Sequence, residues 1–196
     1  MSADEPPAGP LELATIFRRR WAPQTIALLE SRRGERFVSL CHELGAHQGA
    51  VRDTLDYLME IGIVIRNPGY GHPLRPEYIL TPIGSRVAPM CADLGARVKR
   101  DDLGEPAWRR WTMPLLLAVG RGPTRFGEAA RAVAQATDRA VSMGLRDLGA
   151  CALVERTVIP ASPPMSEYAS TRAGRLYLPT LEELARACAP LALPPK

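Results

Sequence analysis

With 196 residues, 46% hydrophobic and 23% charged, and a net charge of +4, the chain has the make-up of a folded protein and not of a disordered or strongly basic one. Its four cysteines, Cys41, Cys91, Cys151 and Cys188, stand singly with no CxxC spacing, which argues against a disulfide scaffold or zinc ribbon and for inert thiols in a reducing cytoplasm. There is no run of eighteen apolar residues, and the acidic, proline-rich start lacks the order of a secretion signal, so neither a membrane span nor export is expected.

Residues 1–10, with Pro6, Pro7, Gly9 and Pro10, are expected to form a disordered leader. A short helix follows over residues 11–20, with Leu11, Ile16 and Phe17 apolar and Arg18, Arg19 and Arg20 solvated. Residues 21–30 continue helically from Trp21, and Arg33 and Gly34 turn the chain. Arg36 and Phe37 open a second helix that ends near Gly45. The next helix runs to about Ile61, and Val51, Leu55, Leu58 and Met59 at three-and-four spacing give it one buried stripe. Gly62, tolerant of positive φ, closes it. The period then changes from helical to alternating. Residues 63–66 and 77–80 read as strands around a loop with two Gly and three Pro, which makes a hairpin with a projecting tip. Thr81 and Pro82 fit the N-cap and first helical position of a helix to about Val98.

Residues 101–106 link this segment to a second one. There, residues 111–119 read as a helix, Gly120 to Pro123 as a turn, and residues 126–133 as another helix. Thr137 caps a helix to Ala150 with Val141, Leu145 and Leu148 apolar. Strands at 153–156 and 167–170 flank a loop holding Pro160, Pro163 and Pro164, and Thr171 opens a last helix to about Cys188.

The second segment repeats the first. Glu77, Tyr78 and Thr81 recur ninety residues on as Glu167, Tyr168 and Thr171, Leu55 and Leu58 as Leu145 and Leu148, Arg66 as Arg156, and Trp21 as Trp111. Arg36 and Phe37 recur as Arg125 and Phe126, the turn before them being one residue shorter. Two domains are therefore expected at 11–99 and 107–188, joined by a linker at 100–106, with a tail at 189–196. The expected fold class is mainly α with small β-hairpin wings: two tandem winged helix-turn-helix domains related by pseudo-two-fold symmetry. A helix that enters the major groove, flanked by a hairpin that reaches the backbone, suits duplex DNA.

At these residues the chain resembles the HxlR-type winged-helix transcriptional regulators, present twice. That pattern has a Trp-anchored helix, an Arg-Phe-x-x-Leu helix, a reading helix, a wing beginning near an Arg and ending in Glu-Tyr, and then Leu-Thr-x-x-Gly. The first segment supplies Trp21, Arg36, Phe37, Leu55, Leu58, Gly62, Arg66, Pro73, Arg75, Glu77, Tyr78, Thr81 and Gly84. The second supplies Trp111, Arg125, Phe126, Leu145, Leu148, Arg156, Pro163, Pro164, Glu167, Tyr168, Thr171 and Gly174. Where the family has a Ser or Thr cap, a Lys two residues later and a Ser three further on, the second segment has Thr137, Arg139 and Ser142 and the first has His47, Gly49 and Arg52. In the wing the first segment keeps Arg75, where the second has Met165.

The resemblance implies a cytoplasmic DNA-binding regulator, read here as a repressor, acting on double-stranded DNA as a pseudo-dimer within one chain or as a homodimer. Candidate DNA contacts are Thr137, Arg139, Ser142, Arg146 and Arg156 in the second segment and His47, Gln48, Arg52, Arg66, His72 and Arg75 in the first. Asp53, Asp56 and Glu60 on the first reading helix weaken its case by repelling phosphate. Phe17, Trp21, Trp108 and Trp111, lying near helix junctions, are candidates to line a pocket for a small aromatic effector. The alternative is a small-molecule binding or resistance protein, for a natural product or drug, on the same duplicated scaffold with weak or no DNA binding. No enzyme, metal or cofactor is expected: His42, His47 and His72 all fall in the first segment, and no Ser-His-Asp set, phosphate-binding Gly loop or HExxH motif is present.

Overall fold

The computed structural model describes residues 9–67, 76–160 and 165–191. The first segment holds α1 (Pro10–Ile16), α2 (Ala22–Arg32), β1 (Glu35–Arg36), α3 (Phe37–Leu44), α4 (Gln48–Glu60), β2 (Val64–Asn67), β3 (Glu77–Leu80) and α5 (Pro82–Arg100). After a 3₁₀ turn at Glu105–Trp108 come α6 (Thr112–Ala118), β4 (Thr124–Arg125), α7 (Phe126–Ala132), α8 (Asp138–Ala150), β5 (Val154–Ile159), β6 (Met165–Ser170), α9 (Arg172–Arg175) and α10 (Leu178–Cys188).

The stops and starts follow local chemistry. Gly45 and Gly62 take φ of 59° and 74° just past α3 and α4. In each case the following amide reaches back, Ala46 N–H donating to the Cys41 carbonyl and Ile63 N–H to the Leu58 carbonyl. Thr81 and Thr171 cap α5 and α9 by accepting from the Gly84 and Gly174 amides at 3.1 Å.

Both wings are three-stranded antiparallel sheets, ordered β1-β3-β2 and β4-β6-β5. The sequence reading gave each only two strands. The third is a two-residue strand just before α3 or α7, overlapping in the first segment the helix start expected at Arg36: Glu35 lies opposite Tyr78 and Arg36 opposite Glu77, as Thr124 lies opposite Tyr168 and Arg125 opposite Glu167. So short a strand carries no alternation to read. The closing helix of the second segment also departs from expectation. It breaks between α9 and α10, because Pro179 has no N–H for the Arg175 carbonyl and its ring crowds that oxygen. The helix expected over 11–20 stops at Ile16, and the leader expected over 1–10 lies outside the described residues except for Gly9 and Pro10, which begin α1.

One apolar core runs through both segments. α5 packs on α2 and on α10, while α1 lies against α6 and α10. The linking stretch takes part, with Leu103 and Ala107 buried. Polar bonds tie the same elements together. The Tyr57 hydroxyl on α4 donates to the Thr15 carbonyl at 2.8 Å in a buried setting, and burial pushes that phenol up to about 12. Tyr177 donates to Asp101 at 2.6 Å, and Thr180 donates to Asp93. Arg97 also donates to Asp93, and that bond, seconded by Thr180, holds the Asp93 carboxyl below its usual range.

Gly84 and Gly174 hold a further joint. The Ile63 carbonyl, which accepts from the Thr81 amide at 3.0 Å, lies so close to Gly84 that a Cβ there would overlap the oxygen, and the Leu153 carbonyl stands the same way toward Gly174. Gly95, also in α5, has open space around its missing Cβ. Gly84→Ala and Gly174→Ala are expected to destabilise by about 1–3 kcal/mol through steric overlap. Gly95→Ala is expected to stabilise by up to about 1 kcal/mol through helix propensity. Thermal unfolding checks the opposite signs, at about 2–4 °C per kcal/mol for a chain of this size.

Candidate nucleic-acid interface

α8 has one buried and one open face. Val141, Leu145 and Leu148 are buried, and Gly144 lets the helix approach α6, since a Cβ there would strike Leu115. This leaves Arg139, Ser142 and Arg146 exposed along one line at i, i+3 and i+7. Thr137 fixes the entry to the helix, its Oγ1 accepting from the Ala140 amide at 3.3 Å. Arg156 stands beside the helix on β5, opposite Tyr168, and donates to Ser166 Oγ from Nε at 3.1 Å and from Nη2 at 2.8 Å.

Ser142, Arg146 and Arg156 share a groove of about 440 Å³ whose apolar walls include Phe126, Val154 and Tyr168. Thr137 and Arg139 lie apart from it, at the amino-terminal end of α8, where with Trp111 and Met143 they border a smaller hollow of about 200 Å³. Asp147 does not offset the cations of the groove. Its carboxylate, on a side chain 15% exposed, is paired with Arg109 at 2.9 Å.

In the first segment α4 buries Val51, Leu55, Tyr57 and Leu58 and exposes His47, Gln48, Arg52 and Asp56. His47 caps the helix, its Nδ1 accepting from the Gly49 amide at 3.1 Å. Arg52, Asp56 and Arg66 line a groove of about 370 Å³ with Phe37, Pro76 and Tyr78, and the Arg52 guanidinium lies over the Phe37 ring at 5.5 Å. His47 and Gln48 sit at the helix start and do not border this groove. His72 and Arg75 lie outside the described residues.

The aromatic walls, Phe37 with Tyr78 and Phe126 with Tyr168, were missing from the sequence-based site. Their signal was present, for these are the Arg-Phe and Glu-Tyr pairs that recur along the chain. In the first segment the Phe37 ring gives the Arg52 guanidinium an apolar bed. Arg66 and Arg156 occupy matching places, each across from the Tyr of its neighbouring strand.

The four residues considered for an effector do not come together. Phe17 is fully buried in the core, so its ring is structural, and this corrects its place among the ligand-contacting residues. Trp111 is 9% exposed and packs in the same core, with Arg110 stacked on its ring at 4.5 Å. Trp21 and Trp108 do meet, half-buried, across a cleft of about 340 Å³ that includes Gln24, Val98 and Lys99. Arg20 closes one edge of it, lying over Trp21 at 4.7 Å and pairing with Glu105 at 3.2 Å. Burial raises the thiols of all four cysteines, which disfavours the reactive thiolate. Among the described residues no helix is long and apolar enough to cross a membrane, and no cluster of three metal-ligating side chains occurs.

Residues 108–190 match the HxlR-like helix-turn-helix family. Over 75 residues the chain is 33% identical to an uncharacterized HTH-type transcriptional regulator of Methanothermobacter thermautotrophicus, a match that takes in 38% of this chain and 57% of that protein. Over 78 residues it is 31% identical to YvaP, an uncharacterized HTH-type transcriptional regulator of Bacillus subtilis, covering 40% of this chain and 72% of that one. A solved structure of a MarR-family transcriptional regulator from Porphyromonas gingivalis is 26% identical, covers 45% of this chain and 85% of its own, and has a TM-score of 0.41. The chain thus spans little more than half the length of the first of these relatives. It belongs to the HxlR-like helix-turn-helix family.

Proposed function

We propose that the protein is a DNA-binding transcriptional repressor made of two winged-helix units in one chain, the product of a duplication. The observation that carries this is the recurrence of one groove. In each segment a solvent-facing helix, a strand arginine and a Phe–Tyr pair border the same kind of hollow, which supports two equivalent grips on a duplex. The matching order and register of the two sheets support the duplication.

On this reading α8 enters the major groove. Arg146 and Ser142 face base edges, Arg156 reaches from the wing to the backbone, and Arg139 with Thr137 meets phosphate where α8 begins. α4 is placed likewise, with Arg52, Arg66, His47 and Gln48 in the corresponding roles. A duplex bound across both units excludes other proteins from that stretch, which is how such a protein represses. One chain then does the work of a dimer, alone or paired with a second such chain. A repressor of this kind works where the chromosome is, in the cytoplasm of a bacterial or archaeal cell.

Charge neutralisation at phosphate has a measurable signature. Arg139→Ala is expected to weaken duplex binding and to flatten the dependence of log K on log salt by about one unit. Arg139 is exposed, so the variant is expected to keep the parent's thermal stability. An unchanged slope in a gel-shift series removes Arg139 from the interface.

A second reading is favoured by the cleft between Trp21 and Trp108, which fits a flat aromatic effector between two indole faces. It lies against the carboxyl-terminal end of α5, so occupancy bears on how the two segments sit together. Titration with planar aromatic compounds is expected to quench tryptophan fluorescence saturably, and Trp108→Ala to abolish the effect. Quenching without any duplex affinity at low salt instead supports a small-molecule binding or resistance protein that has given up DNA.

A further inference from the structure

We infer that the two reading helices are specific for different bases, so that the chain recognises an unsymmetrical site: guanine where Arg146 meets the duplex and cytosine where Asp56 does. This rests on the DNA-binding reading above and concerns which sequence is bound.

Position 56 on α4 and position 146 on α8 are equivalent by packing and not only by counting. Val51, Leu55 and Leu58 are buried on α4, and Val141, Leu145 and Leu148 are buried on α8 at the same spacing. The two helices are each 13 residues long and turn the same stripe inward, so their outward faces carry residues 52 and 56 on one and 142 and 146 on the other. Each pair lines a groove beside an arginine that faces the Tyr of the next strand, Arg66 with Tyr78 and Arg156 with Tyr168. At this common place one helix has a carboxylate and the other a guanidinium.

The chemistry of the two groups is opposite. A guanidinium has only donors, and its fork fits the O6 and N7 acceptors of guanine. A carboxylate has only acceptors. It is repelled by O6 and N7 and is satisfied in the major groove by the N4 amino group of cytosine. A carboxylate near phosphate is unfavourable unless cations stand beside it, and Asp56 has Arg52 and Arg66 in its own groove. Asp53, the neighbouring acid on α4, is instead drawn toward Arg19 at 4.0 Å and does not border the groove. These two acids of α4 therefore divide: Asp53 belongs to a surface ion pair, and Asp56 is a base-reading group. A family member with two identical chains presents the same residue to both half-sites. Carrying both units in one chain frees them to differ, and Asp56 against Arg146 is where they differ in sign.

Selecting bound duplexes from a randomised pool tests this with the full chain and three variants, each checked for parental thermal stability. The parent is expected to enrich two unlike half-sites. Arg146→Ala is expected to lower the guanine preference in one half by roughly tenfold or more, leaving the other half intact. Asp56→Ala is expected to erase the cytosine preference in the other half only, and Asp56→Arg to convert that position to guanine. A palindromic parental motif, a single enriched half-site, or a motif that Asp56→Ala leaves unchanged overturns the inference while leaving duplex binding standing. Failure of the parent to bind any duplex at low salt overturns the DNA-binding reading and the inference with it.

Discussion

The packing of α5 against α10 is the contact on which the rest depends. Val87, Cys91, Leu94 and Val98 on one helix and Leu181, Leu184, Ala185 and Cys188 on the other are buried, and neither helix could present such a face to water without a partner. α1 completes the joint by lying on α6 and α10, elements of the other segment. The two segments therefore do not hang on a free linker. Leu103 and Ala107 in the connection are buried, and Asp101 takes the Tyr177 hydroxyl.

From that joint the geometry passes outward through backbone contacts. α5 begins at Thr81, whose amide and hydroxyl both turn to the carbonyls at the end of α4, and α9 begins at Thr171 in the same relation to the end of α8. The glycine three residues on exists because that carbonyl occupies the space of its side chain. In each segment the long exposed helix, the sheet and the helix that follows it are thus set against one another by main-chain atoms, which tolerate changes of exposed side chain. The outward residues of α4 and α8 differ, with His47, Gly49 and Asp56 on one and Thr137, Arg139 and Arg146 on the other.

Much of this was legible in the residues alone, and the failures have physical reasons. The stripes of α4 and α8, the Thr caps and the glycine stop at Gly62 are local chemistry with a fixed period, and the structure has them where the sequence puts them. The strands β1 and β4 were missed because two residues give no alternation, and they exist only through pairing with a distant partner. The break before α10 stands at Pro179, whereas α5 runs on through Pro89, so a proline in a helical stretch does not by itself tell a break from a continued helix. Of the groove residues, Arg66 and Arg156 belong to the recurring motif and Arg146 was a candidate from its helix face, whereas the sharing of one groove by a strand arginine, a helix face and a Phe–Tyr pair is a tertiary fact. Phe17 was misjudged because an aromatic at a helix junction looks the same in sequence whether it lines a pocket or fills the core.

If the two grooves are carried on one rigid body, a single chain should protect two stretches of one duplex. Hydroxyl-radical footprinting at one chain per duplex is the direct measurement. Two protected stretches on one face, a helical turn of about ten base pairs or a multiple of it apart, are the expected result. One stretch alone, or protection that appears only when two chains are present per duplex, would contradict it.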